Sequence, residues 1–182
     1  GDLPPGRQPV QTGVKPEERR AEIVERVAAL VAAGHQAYWV CPLIEESELV
    51  DSRAASTLHG ELAAALPSVR IGLIHGRMKG AEKDVVMRSF KNGEIDLLVA
   101  TTVIEVGVDV PNATLMIVEN AERMGLAQLH QLRGRVGRGA KASACVLLYH
   151  PPLSDDARQR LGVLRETNDG FVVAQNDLEL RG

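Results

Sequence analysis

Apolar residues fall along this chain in two alternating rhythms. Short runs such as Tyr38-Trp39-Val40-Cys41-Pro42-Leu43-Ile44 carry no polar break, as strands buried on both faces do. Between them apolar residues recur every three or four positions, which lines one face of a helix. Ile23, Val24, Val27, Leu30 and Val31 mark a helix that Pro16 opens and Gly34 ends. Leu58, Leu62 and Leu66 mark a second, stopped by Pro67; Val85, Val86 and Phe90 mark a third, over residues 81–91. Strands are predicted at 9–14, 38–44, 69–74, 96–100, 114–118 and 143–149, with a short helical turn after Thr102 and a helix over 126–132. Such alternation implies right-handed crossovers and a mostly parallel, doubly wound α/β sheet. In that architecture the loops at strand ends gather the function.

The alternation stops after His150. Pro151 and Pro152 break the chain, and Ser154 is placed to cap a helix reaching Arg165, with Ala157, Leu161 and Leu164 on one face. Asn168-Asp169-Gly170 reads as a turn, and a helix over 171–178 carries Phe171, Ala174 and Leu178. These stripes predict an antiparallel hairpin whose helices bury one another and depend little on the sheet. The expected division is a linker and leading strand at 1–15, an α/β domain at 16–150 and a helical hairpin at 151–182.

Composition narrows this picture. Hydrophobic residues make up 45% and aromatics 3%, so the core must be aliphatic. The net charge of -3 argues against a free-standing nucleic-acid binder; any such contact is local and shared with another domain. No run approaches the ~18 apolar residues of a membrane helix, and no signal pattern opens the chain. No membrane association is expected. Cys41 and Cys145 each sit in an apolar run and are read as reduced core cysteines of a cytosolic protein. The histidines lack metal-ligand spacing: His35 is read as surface, His75 and His130 as polar contacts or structural groups.

Chemistry concentrates in two segments. Residues 100–111, from Ala100 through Thr101-Thr102 to Asp109-Val110-Pro111, place hydroxyls and amides at a strand end, where a phosphate can be held. A capped strand-to-helix loop with a turn aspartate is the alternative, and on the residues alone it is the favoured reading, since short polar loops are common. Residues 128–139 interleave Arg133, Arg135 and Arg138 with glycines. A guanidinium grips phosphate in bidentate fashion and keeps its charge at neutral pH. A solvated basic turn is the alternative, but a cluster that follows an amphipathic helix in an α/β domain fits an arginine finger.

Together these segments resemble motifs V and VI of superfamily 2 helicases. The Gln-x-x-Gly-Arg-x-Gly-Arg pattern stands as Gln131, Gly134, Arg135, Gly137 and Arg138. The stretch from Leu98 to Asp109, and Ile74-His75-Gly76-Arg77-Met78-Lys79, resemble the branch that contains RecG and the transcription-repair coupling factor. The segments 38–47 and 168–171 point to the RecG family within it. The resemblance implies a RecA-like second motor domain of a helicase that remodels stalled forks and branched recombination intermediates. It implies that Arg135 and Arg138 face the γ-phosphate, that Gln131, Gly107 and Asp109 border the nucleotide, and that Thr101, Thr102, His75 and Arg77 meet DNA. Residues 177–182 resemble the start of a translocation motif. The implied partners are branched or forked DNA and the P-loop motor and wedge domains of the same polypeptide, in the cytoplasm with the nucleoid.

No Gly-x4-Gly-Lys-[Ser/Thr] and no Asp-Glu-x-[His/Asp] run occurs. ATP and Mg2+ are therefore expected to be held mainly by the other motor domain, leaving this chain inactive alone. The competing readings are a non-enzymatic interaction module on a helicase-like fold, against which the paired arginines argue, and the coupling factor, from which 168–171 leans away.

Overall fold

A computed structural model describes residues 10–44, 47–101, 110–137, 139 and 141–166. Six strands, β1 (Val10–Pro16), β2 (Gln36–Cys41), β3 (Ile71–Ile74), β4 (Leu97–Thr101), β5 (Ala113–Val118) and β6 (Ser143–Tyr149), form one sheet in the order β1-β6-β5-β2-β4-β3. Every pairing is parallel. The helices are α1 (Arg20–Ala32), α2 (Glu48–Ala65), α3 (Gly80–Lys91), α4 (Leu126–Arg133) and α5 (Asp155–Glu166).

The twofold period of the strands divides the core in two. Tyr38, Val40, Leu98, Ala100, Met116, Val118, Cys145 and Leu147 face α3, α4 and α5. Ala37, Trp39, Cys41, Leu97, Val99, Leu115, Ile117, Ala144 and Val146 face α1 and α2. The helices α1 and α2 advance the chain toward the β3 edge on one face. The helices α3 and α4 return it on the other, as right-handed crossovers require. Cys41 and Cys145 are both free and buried, one on each side of the sheet. Burial pushes both thiols up to about 12, with the Glu119 charge adding to the effect at Cys41.

Three expectations are corrected. The β2 ladder ends at Cys41, because Pro42 has no N–H to donate, and Leu43 beyond it is 44% exposed. In α3 the inward stripe is Val86, Met87 and Phe90, so Val85 lies off it and is 53% exposed. The third concerns α5. The Ser154 hydroxyl accepts from Ala157 N at 3.0 Å, as its capping position predicts. Yet Ala157, Leu161 and Leu164 are 3%, 1% and 1% exposed because α5 packs on β1, on the turn Ala121–Arg123 and on α4. Leu161 and Leu164 belong to the same core as Met116 and Leu147, so α5 is part of the sheet domain. The expected turn at 168–170 and helix over 171–178 lie outside the described residues, as does the turn after Thr102.

Candidate functional site

The arginine segment is placed by α4. Gln128 Oε1 accepts from Gly125 N at 3.0 Å and starts this helix at the carboxyl end of β5. The helix runs back along the sheet, so its last residue, Arg133, lies toward the amino ends of the strands. Gly134 N, Arg135 N and Val136 N then donate to His130 O, Leu132 O and Arg133 O. Gly137 turns the chain with φ of 76°, a conformation that a side chain opposes. Gly139 comes so close to Pro111 that a Cβ there would lie 3.0 Å from the proline Cβ. Lys141 donates to Asn112 Oδ1 beside this contact. The ends of the two sequence-marked segments thus meet at the amino ends of β5 and β6. Arg135 is half-buried and Gln131 exposed. Gly107, Asp109 and Arg138 lie outside the described residues.

Arg133 departs from the reading of three like arginines. It is 5% exposed. Its Nη1 donates to Thr12 Oγ1 (3.2 Å) and Leu164 O (3.1 Å), and its Nη2 to His130 Nδ1 (3.2 Å). Burial, and then the Arg133 charge, hold the His130 imidazole below its ordinary value of 6.5. The neutral ring accepts the Arg133 bond. The polar contact expected at His130 is thus internal.

The other candidates gather at the carboxyl ends of β3 and β4. Ile74 pairs with Ala100, so His75 and Thr101 leave adjacent strands at one level. His75 Nδ1 accepts from Arg77 N at 3.2 Å, and its own N donates to Met78 Sδ at 3.4 Å. Arg77 is exposed, whereas Thr101 is 1% exposed and turned away from solvent. Glu48, first residue of α2, covers this turn: a Cβ on Gly76 would lie 2.7 Å from its Oε2. Thr102 lies outside the described residues.

A cleft of about 880 Å³ opens between α1 and α2 near the ends of β2 and β5. At its floor Trp39 Nε1 donates to Glu119 Oε2 at 2.8 Å. Arg20 donates through Nη1 to the same oxygen and through Nη2 to Oε1 (2.8 Å), with its guanidinium 5.8 Å from the Trp39 ring centroid. The hydrogen bond to Glu119 raises the Arg20 pKa still further. Sequence reasoning missed this cluster and the burial of Arg133. The residues Arg20 and Glu119 are 99 apart, and no local pattern joins them. His35, read as surface, is half-buried with Nδ1 2.9 Å from Thr114 Oγ1.

Among the described residues no three His, Cys, Asp or Glu side chains converge, and no helix is long and apolar enough to cross a membrane. The chain is 66% identical over its whole length to the ATP-dependent DNA helicase RecG of Escherichia coli strain K12, covering 26% of that protein. It is 64% identical over 99% of its length to RecG of Acidithiobacillus ferridurans, again 26% of that protein. The chain therefore spans about a quarter of the length of the curated relatives it matches. A structure of RecG bound to a three-way DNA junction matches 93% of this chain and 22% of that one, with 45% identity and a TM-score of 0.78. The yeast DEAD-box splicing factor Prp28 shares the fold: 15% identity, TM-score 0.66, 93% of this chain and 35% of that one. The resemblance to RecG drawn from the motifs is borne out. With residues 19–140 matched by the family model for the helicase conserved C-terminal domain, the chain belongs to that family.

Proposed function

We propose that this chain is the second motor domain of an ATP-dependent DNA helicase that remodels stalled replication forks and branched recombination intermediates. In this reading Arg135 and Arg138 reach the γ-phosphate of ATP and stabilise the charge that develops as it is transferred. Gln131, Gly107 and Asp109 border the nucleotide; Thr102, His75 and Arg77 hold the DNA backbone, and Thr101, expected there as well, is buried at the end of its strand and backs that surface from within. ATP and Mg2+ are bound mainly by the P-loop motor domain of the same polypeptide, and a wedge domain engages the junction. The work is done in the cytoplasm, with the nucleoid.

The observation that carries the reading is the contact between Gly139 and Pro111. It joins the arginine segment to the end of the 100–111 segment at one end of the sheet, while Thr101 and the His75–Arg77 turn occupy the other. A stiff sheet between two such surfaces converts closure at the nucleotide into displacement at the DNA. Branched DNA as substrate draws support from the relative bound to a three-way junction.

The chain alone is expected to release no phosphate from ATP above background, with or without forked DNA, because it has neither phosphate cradle nor magnesium ligand. Steady-state phosphate release checks this. Robust DNA-stimulated turnover by the isolated chain contradicts the division of labour.

A further inference from the structure

We infer that Arg133 is a positioning residue for hydrolysis, acting through Arg135; the inference rests on the arginine-finger reading above. A guanidinium stays charged at any physiological pH, and burying one is costly unless its donors are bonded. Arg133 is 5% exposed and bonds into three elements: β1 through Thr12, α4 through His130 and α5 through Leu164 O. Two of those partners lie 121 and 31 residues away. Arg133 is also the last residue of α4, so the catalytic segment starts from it. Arg135 N is tied back to Leu132 O and Val136 N to Arg133 O, which fixes the direction in which Arg135 leaves the helix. The far end of the segment is held where Gly139 meets Pro111. The described residues 134–137 thus leave from one anchor toward the other, and Arg133 is the one that secures the near end to the rest of the domain. Lysine cannot replace it: one ammonium lacks the fork that reaches Thr12 and Leu164 from Nη1 and His130 from Nη2.

The test uses the full-length protein, with kcat and KM for ATP measured under DNA stimulation and scaled to the DNA-binding-competent fraction. Arg133→Lys is expected to lower kcat about tenfold or more with KM within about twofold, since a misplacement of about 1 Å is enough for such a loss. Introduced into Arg135→Ala, it is expected to lower kcat little further, because the group it positions is gone. Losses that multiply in the double variant, or an unchanged kcat in Arg133→Lys, overturn the inference. Normal hydrolysis by Arg135→Ala overturns instead the assignment of Arg135 as a finger, on which the inference rests. Should Arg133→Lys fail to fold, Thr12→Val decides: a few-fold fall in kcat at unchanged melting temperature, absent in the Arg135→Ala background, is expected. Unchanged kcat there contradicts it.

Discussion

His130 sits where acid costs the domain stability. Its ring is half-buried beside Arg133, and burial and that charge both favour the neutral form, so its folded pKa lies below the unfolded value of about 6.5. A depressed folded pKa contributes stability that is present above the unfolded pKa and lost as pH falls through the folded one. The melting temperature of the chain is therefore expected to fall as the pH drops below about 6.5. His130→Asn, which keeps an acceptor and removes the titration, is expected to flatten that fall; identical slopes in the two proteins contradict the assignment. At this scale the sequence was legible for residue type and blind to partner. The burial of both cysteines follows from their apolar runs. The spacing of Arg133, Arg135 and Arg138, however, gives no hint that the first points inward, because Thr12 and Leu164 O come to it only through the fold.

The inner elements were legible because a parallel sheet covered on both faces demands aliphatic runs, and those at β2, β4, β5 and β6 became buried strands; β1 and β3, with Gln11, Thr12 and Arg70 in their predicted stretches, are the two edge strands. Their ends were less so. β2 begins one turn of pleat earlier than its apolar run, at Gln36, whose buried amide donates to Phe90 O and Ile95 O at 2.7 and 2.8 Å. The destination of α5 was misread for a more general reason. A stripe such as Ala157, Leu161 and Leu164 states that one face is buried, not what buries it. Leu164→Ala is expected to destabilise the whole domain by about 2–5 kcal/mol, the usual loss for truncating a core leucine. Trp39, the single tryptophan, reports on this from the opposite core. Its fluorescence midpoint in urea should move with Leu164→Ala. An unmoved midpoint means that α5 unfolds apart from the sheet.

At the scale of the molecule, one stiff sheet separates two kinds of surface. The amino ends of β5 and β6 carry the arginine segment against Pro111; the carboxyl ends of β3 and β4 carry Thr101 and the His75–Arg77 turn. The Arg20–Glu119–Trp39 cluster ties the start of α1 to β2 and to the residue that follows β5. The motif spacing made both surfaces legible as chemistry. Their placement at opposite strand ends needed the topology, since residues 101 and 110 are near in sequence yet flank a crossover. The central claim is that this domain supplies charge to the transition state rather than affinity for ATP. The most direct measurement is DNA-stimulated hydrolysis by the full-length protein carrying Arg138→Ala or Arg135→Ala. The expected result is a fall in kcat of roughly 10³ or more for at least one of them, with ATP affinity changed by only a small factor. Wild-type kcat in both variants contradicts it.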